Sequence, residues 1–197
     1  MAIIRLFIAL KVEELQPKIA QFLEELKMLK GKISWVPLEN VHLTLKFLGE
    51  TEESKVARII KTLKSTAKSY PPFKVTLKET GSFPSLNNPK VLWIGVKDET
   101  ETLINLAKEI ENKMVSLDYP LEKRGFKPHI TLARIKFLSE PNKFKTLLEK
   151  YLQINIGEQQ IKYFSLMKST LKPSGAVYEE LERFYLKGGK KDGLAEF

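Results

Sequence analysis

The chain has 197 residues, and its 33 Lys and Arg outnumber its 24 Asp and Glu, so its formal net charge is +9 at neutral pH. Since 43% of the residues are hydrophobic, the chain can bury the core of a folded domain, which excludes an intrinsically disordered protein. It has no cysteine and only two histidines, which excludes disulfide scaffolds, thiolate zinc sites, cysteine nucleophiles and all-histidine metal sites.

Apolar spacing in the first half of the chain predicts strands alternating with helices. Residues 3–10 form a short apolar run typical of a buried strand, whereas apolar residues recur at helical spacing over 12–29 and 52–68. In order, we predict a strand at 3–10, a helix at 12–29, an extended segment at 34–36, a strand at 42–48, a helix at 52–68, a strand at 73–77, a loop at 81–89 and a strand at 91–96. The loop is predicted because its residues are rich in Gly, Pro, Ser and Asn.

The second half repeats this order. We predict a helix at 99–115, a loop at 119–126, a strand at 129–135, a helix at 143–151, and strands at 159–167 and 177–186 joined by a turn at 173–175. Because several neighbouring strands are joined by short turns, a doubly wound parallel sheet is not expected. The pattern predicts one two-lobed domain over residues 1–197, of the α+β class and largely antiparallel, with helices on its outer faces and a flexible tail at 187–197.

The positive charge indicates a polyanionic partner, such as nucleic acid or a nucleotide, although a solvated lysine-rich surface would give the same balance. No apolar stretch reaches the ~18 residues that span a bilayer. The first residues also lack the arrangement of a signal peptide. We therefore expect a cytoplasmic protein, a monomer with no membrane partner.

Both histidines stand in the same four-residue pattern. Residues 42–45 read His-Leu-Thr-Leu, and residues 129–132 read His-Ile-Thr-Leu. Thr occupies 11 of the 197 positions, so chance would place a Thr two residues after both histidines roughly three times in a thousand. On a strand, residues i and i+2 share a face. His42 therefore shares a face with Thr44, and His129 with Thr131, while their apolar neighbours can anchor each strand on a core.

Two histidines with two hydroxyls suit the chemistry of a phosphodiester. One neutral and one protonated histidine can act as general base and general acid on opposite sides of one phosphorus. Threonine hydroxyls can donate hydrogen bonds to phosphoryl oxygens that gain charge. Such a site needs no metal. Two interpretations stay open beside it: half-buried histidines with a purely structural role, and a two-histidine metal site.

At these residues the chain resembles the 2′-5′ RNA ligase family, also called RNA 2′,3′-cyclic phosphodiesterases, within the two-histidine phosphoesterase superfamily. The resemblance runs from about residue 3 to residue 186. The segments that carry it are Arg-Leu-Phe-Ile-Ala at 5–9, Trp-Val at 35–36, Asn-Val-His-Leu-Thr-Leu-Lys-Phe-Leu-Gly at 40–49, Gly-Ser-Phe-Pro at 81–84, Val-Leu-Trp at 91–93, Phe-Lys-Pro-His-Ile-Thr-Leu-Ala-Arg at 126–134, and Ser-Thr-Leu at 169–171 with the Pro173, Gly175 and Tyr178 that follow it. It implies a bilobal fold in which two mostly antiparallel sheets, related by a pseudo-twofold axis, line a central cleft.

The resemblance also implies a reaction and roles for these four residues. The reaction opens an RNA 2′,3′-cyclic phosphate to a 2′-phosphomonoester. His42 would protonate the departing 3′-oxygen, His129 would activate water, and Thr44 and Thr131 would hold phosphoryl oxygens. In reverse, with a 5′-hydroxyl RNA end as nucleophile, the site would form a 2′-5′ linkage. Hydrolysis would need no cofactor, while dependence on a nucleotide stays open.

Other residues of the matched segments could contact the substrate. The resemblance makes Arg134 a substrate-binding residue, but its odd spacing from His129 would put it on the opposite strand face unless a bulge intervenes. Phe83 is our candidate for stacking on a base because it lies in the predicted loop, whereas the parity of Phe47 favours core packing. Lys127 and Lys46 could add positive potential. The alternative function is a non-catalytic RNA-binding or nucleotide-binding module that uses the same cleft.

Overall fold

The computed structural model describes residues 2–173 and 175–188, in which four α-helices pack on one large antiparallel sheet. The strands are β1 (Ile3–Lys11), β2 (Gly31–Trp35), β3 (His42–Glu52), β4 (Phe73–Ser85), β5 (Asn88–Lys97), β6 (His129–Leu138), β7 (Asn155–Ile161), β8 (Tyr163–Lys172) and β9 (Gly175–Tyr185). The helices are α1 (Gln16–Leu26), α2 (Val56–Lys68), α3 (Thr102–Val115) and α4 (Pro141–Lys150). No described helix is long and apolar enough to cross a bilayer.

The predicted mixture of antiparallel strands and helices is confirmed, but the strands form one sheet rather than two. Its order is β7-β4-β5-β6-β3-β1-β8-β9, and β2 pairs with β6 beside this path. The two halves of the sheet meet where β3 pairs with β6 through one residue pair, Leu43 opposite Ile130. The apolar faces of the helices pack on the sheet face that carries these two residues, and together they form the main core.

Three element predictions differ most from the structure. Residues 81–89 form a β-hairpin instead of a loop, because Phe83 pairs with Val91 across a turn at residues 86–87. The helix predicted at 12–29 is shorter: Pro17 in the first turn of α1 fixes where it begins, since proline lacks an N–H donor. The strand predicted at 159–167 is divided between β7 and β8.

The predicted flexible tail lies mostly outside the described residues, which end at Gly188. Its first two residues contact the end of α2. The amide of Lys187 donates to the Ala67 oxygen at 3.3 Å, and the amide of Gly188 donates to the Tyr70 oxygen at 2.9 Å.

Candidate active site

The Leu43–Ile130 pair places the two tetrads side by side at the centre of the sheet. An antiparallel register through this pair sets His42 beside Thr131 and Thr44 beside His129. Leu43 and Ile130 are almost completely buried in the core. The two histidines and two threonines, which alternate with them, are half-buried on the opposite face. We call this the site face.

Both histidine rings are held by the same backbone contact. In each ring, Nδ1 lies 2.6 Å from the carbonyl oxygen two residues earlier, that of Asn40 for His42 and that of Lys127 for His129. A carbonyl oxygen can only accept, so Nδ1 carries the proton and Nε2 is the atom left for proton transfer. Nε2 of His42 lies 3.1 Å from the Thr44 hydroxyl oxygen. Both imidazoles are thus held in one tautomer.

Two aromatic rings enclose His42. The ring of Phe7 lies 4.9 Å from it between centroids, and the ring of Tyr178 meets it edge-on at 5.3 Å. Phe7 and Tyr178 also pack with Met167 in a small apolar cluster on the site face. This burial lowers the pKa of His42, and the hydrogen bond to Asn40 opposes the shift in part. The surroundings therefore favour neutral His42 while the site is empty.

Phe83 is a wall of the site beside His129. It lies on β4, not in a loop, and its ring meets the ring of His129 edge-on at 5.1 Å. Its other neighbour is Trp93, which stacks on it at 5.2 Å. Phe83 is therefore half-buried between two rings. Its proposed role in stacking on a base stays a prediction.

A β-bulge brings Arg134 to the site face. Between β5 and β6, Trp93 pairs with Thr131 and Leu92 pairs with Ala133, so Leu132 is an extra residue. Leu132 and Ala133 both turn into the core, at 0% exposure. The extra residue shifts the alternation of side chains between the two sheet faces by one position. Arg134 is therefore exposed on the same face as His129 and Thr131. The bulge that the odd spacing required is present.

Another β-bulge lies in β3, and it contradicts two of the expectations from the sequence. Ile8 pairs with Lys46 and Ala9 with Thr44, so Leu45 is the extra residue. Lys46 therefore turns into the core and is 4% exposed, which removes it as a source of potential on the site face. Phe47 does not pack in the core as expected. It is 62% exposed, and the bulge places it on the same face of the sheet as Thr44. Its ring centroid lies 6.2 Å from that of Phe7.

Buried Lys46 has a structural partner. Its ammonium group lies 2.7 Å from a carboxylate oxygen of Glu111 on α3 and donates to the Pro120 carbonyl oxygen at 2.9 Å. Lys127 contributes to the site through its carbonyl oxygen, which holds His129. Its side chain is exposed, and the proposed contact with substrate stays a prediction. Within the described residues, no group of three or more His, Asp and Glu side chains is placed to hold a metal ion.

Sequence reasoning missed Phe7 and Tyr178 as the enclosure of His42, and Trp93 as the support of Phe83. All three lie in segments that carry the family resemblance. The signal that could have identified Phe7 was its alternation with Leu6 and Ile8, which gives β1 a second apolar face. An antiparallel strand with one solvated face usually carries polar residues there, so an apolar residue on that face indicates packing against a second group of side chains.

Comparisons with known proteins all indicate the same family. The family model described as LigT-like phosphoesterase matches the chain twice in succession, over residues 9–93 and 94–178, one copy for each tetrad. The RNA 2′,3′-cyclic phosphodiesterase of Methanocaldococcus jannaschii is 39% identical over 181 residues, which cover 91% of this chain and 99% of that protein. The enzyme of the same name from Aquifex aeolicus is 34% identical over 189 residues, covering 95% of this chain and all of that protein.

Solved structures agree in fold. A crystal structure of a protein from Thermus thermophilus superposes with a TM-score of 0.81 at 30% identity and covers 94% of this chain and 100% of that one. E. coli LigT in complex with 3′-AMP gives a TM-score of 0.73 at 24% identity, with 95% of this chain and 100% of that chain covered.

Proposed function

The chain belongs to the LigT-like phosphoesterase family, and on this premise we propose that it is an RNA 2′,3′-cyclic phosphodiesterase that releases a 2′-phosphomonoester. One observation carries this proposal: the register at Leu43 and Ile130 sets two His-Thr pairs next to each other on one face. A single phosphate can therefore be reached by two imidazoles and two hydroxyls. The homologues of this name cover nearly the whole chain.

The proposed reaction is one in-line displacement at phosphorus. Nε2 of neutral His129 takes a proton from water while the water oxygen forms a bond to phosphorus. The bond from phosphorus to the 3′-oxygen breaks, and protonated Nε2 of His42 gives its proton to that oxygen. The hydroxyls of Thr44 and Thr131 donate to the two non-bridging oxygens, on which negative charge grows. No metal ion takes part in these steps.

The role of His42 as the acid requires its protonation in the complex, although burial lowers its pKa in the empty site. A bound cyclic phosphate supplies the missing stabilisation, because its negative charge beside the ring raises the pKa again. Protonation of His42 is thus coupled to substrate binding. The enclosing rings of Phe7 and Tyr178 strengthen this coupling, since they keep solvent from screening the pair.

The same residues can join two RNA ends. A 5′-hydroxyl RNA end then takes the place of water and attacks the cyclic phosphate, and the product is a 2′-5′ linkage. Ligation is thus a second forward displacement at the same phosphorus and not the reverse of hydrolysis, so the group that activates water also activates the 5′-hydroxyl, and His42 again protonates the 3′-oxygen. Ligation therefore needs no residue beyond those of hydrolysis.

Product analysis tests the proposal. An oligoribonucleotide with a 2′,3′-cyclic phosphate is incubated with the protein and a chelator, and the 2′- and 3′-phosphate products are separated. We expect only 2′-phosphate, and a loss of about a hundredfold or more in His42→Ala and His129→Ala. Lys61→Ala, on the exposed side of α2, is the control.

Each contrary result has a distinct meaning. A 3′-phosphate product would reverse the leaving group, and full activity of either histidine variant would overturn the acid–base scheme. Loss of activity with chelator would favour a metal. Tight RNA binding without turnover would support the binding-module alternative.

A further inference from the structure

We propose that the edge formed by β2 and the second half of β6 binds the RNA strand that leads away from the cyclic phosphate. This inference rests on the proposed function and extends it from the terminal group to the body of the substrate. A 2′,3′-cyclic phosphate stands at the 3′ end of an RNA, so the rest of the strand leaves the site in one direction only. The protein must therefore offer that strand one exit.

Cationic and aromatic side chains follow the catalytic pair along β6. A second bulge lies between β2 and β6, where Ile33 pairs with Ile135 and Lys32 with Phe137, so Lys136 is the extra residue. Lys136 and Phe137 are therefore both exposed, and Phe137 is 58% exposed. With Arg134 and Lys32 they form the strip that we call the β6 track.

The alternation of β6 places this track on the site face. Ile135 is buried in the core between Arg134 and Lys136. Residues 134, 136 and 137 thus continue the row that begins at His129 and Thr131. Phe137 stands six positions after Thr131, and because two bulges lie between them the distance is shorter than the roughly 20 Å of a regular strand. That length accommodates several nucleotides beyond the one being processed.

The charges of the track are available to a ligand. Among the ion pairs formed within residues 2–173 and 175–188, none includes Lys32, Arg134 or Lys136. By contrast, Lys11, on the strand beside His42, is engaged with Glu180 at 3.1 Å and Glu13 at 3.7 Å. Three uncompensated cations beside an exposed aromatic ring match a single-stranded RNA, whose phosphates and bases alternate along the chain.

The corresponding edge of the other half-sheet has the opposite sign. On β3, the residues that follow Phe47 on the site face are Glu50 and Glu52, and both are exposed. Arg5 lies opposite Glu50 in the register and shares this face, so two carboxylates stand there against one cation. A strand leaving in that direction would meet carboxylates. The asymmetry of charge between two similar halves therefore selects the β6 side as the exit.

The backbone of the track is closely packed. Gly31 has φ +155°, and a Cβ at this position would overlap the backbone oxygen of Phe137. Beyond it, the amide of Ser139 donates to the Lys30 oxygen at 3.0 Å. The spacing of Lys32 and Phe137 is therefore set before RNA arrives, which reduces the entropy lost on binding. Lysine on an edge strand also prevents sheet-to-sheet association, and that purely structural role predicts no preference for long substrates.

The experiment compares a short and a long substrate. KM and kcat are measured for a 2′,3′-cyclic mononucleotide and for 5′-labelled oligoribonucleotides of up to roughly six nucleotides with the same end. The variants are Phe137→Ala and the double variant Lys32→Ala/Lys136→Ala. Lys61→Ala/Lys145→Ala, which removes two exposed lysines from α2 and α4, is the matched control of equal charge.

We expect the oligonucleotide KM to rise about tenfold in Phe137→Ala, with the mononucleotide KM unchanged. In the double lysine variant, the salt dependence of oligonucleotide binding should weaken by about 1.4 in the slope of log K against log salt, because two phosphate contacts are lost. Equal effects on both substrates, or no effect on either, would overturn the proposal, as would an equal effect of the control.

Binding of the labelled oligonucleotide, followed by fluorescence anisotropy, separates this inference from the proposed function. If no cyclic phosphate is turned over but binding still falls in the track variants and not in the control, the β6 track stands and the catalytic proposal fails. If the wild type turns over cyclic phosphate and the track variants bind RNA normally, the track is wrong and the catalytic proposal stands.

Discussion

The ammonium group of buried Lys46 lies 2.7 Å from the carboxylate of half-buried Glu111, and this pair connects the two halves of the active site. Lys46 follows the first tetrad on β3. Its second contact is with the Pro120 oxygen, and the same Glu111 oxygen accepts the amide of Glu122 at 2.8 Å. The pair therefore ties β3 to the loop that leads to His129.

Removal of one member of this pair should be strongly destabilising. We expect Lys46→Ala to lower the free energy of unfolding by about 2 kcal/mol or more, because the Glu111 carboxylate loses its cationic partner and the Pro120 oxygen loses its donor. The double variant Lys46→Met/Glu111→Gln should recover part of this loss. Denaturant unfolding measures both, with Lys61→Ala as the exposed control. A loss in Lys46→Ala no larger than in the control would show that the pair is not structural.

The titration of His42 should reflect its enclosure. Because the chain has only two histidines, their ring resonances can be followed by NMR and assigned with His129→Ala. We expect His42 to titrate below the ordinary histidine range, since burial disfavours its charged form. Tyr178→Ala should raise this pKa by admitting water. An ordinary pKa for His42 in the wild type would contradict the proposed enclosure.

The same shift predicts a difference between two pH profiles. If His42 is the acid, kcat/KM falls as pH rises through its lowered pKa, because this parameter reports the free enzyme. The bound phosphate raises the pKa of His42, so kcat should fall at a higher pH. The opposite result would be a kcat/KM that falls as pH drops through this same lowered pKa. If that pH dependence were absent in His42→Gln, His42 would be the base.

Strand alternation correctly predicted the shared face of His42, Thr44, His129 and Thr131 because both bulges begin only after the threonines, at Leu45 and Leu132. It failed for Phe47, three residues past Thr44, because the bulge at Leu45 arises from pairing with β1, which is distant in sequence. For the same reason, local composition gave the wrong prediction for residues 81–89: Gly and Pro indicated a loop, while pairing with β5 made a hairpin. The enclosing rings likewise come together only through the sheet order.

Gly81 should be required for the wall beside His129. A Cβ at Gly81 would overlap the ring of Trp93, which stacks on Phe83, whose ring in turn contacts His129. We expect Gly81→Ala to displace Trp93 and to lower kcat about tenfold or more, since small misplacements of catalytic groups are costly. In a Trp35→Phe background Trp93 is the only tryptophan, so its fluorescence reports the displacement. An unchanged emission spectrum together with full activity would refute this role of Gly81.

The two threonines should contribute to the transition state rather than to binding. Thr44→Val and Thr131→Val each remove a hydroxyl donor from the site face while keeping the shape of the side chain. The donor is worth most when charge grows on the phosphoryl oxygens, so we expect kcat to fall by roughly a hundredfold to a thousandfold while KM changes little. Thr44→Ser and Thr131→Ser keep the donor and should retain most of the activity, and Thr146→Val, exposed on α4, is the control. If the valine variants changed KM alone, the hydroxyls would serve ground-state binding, and the stabilisation of the transition state would have to come from the histidines and Arg134.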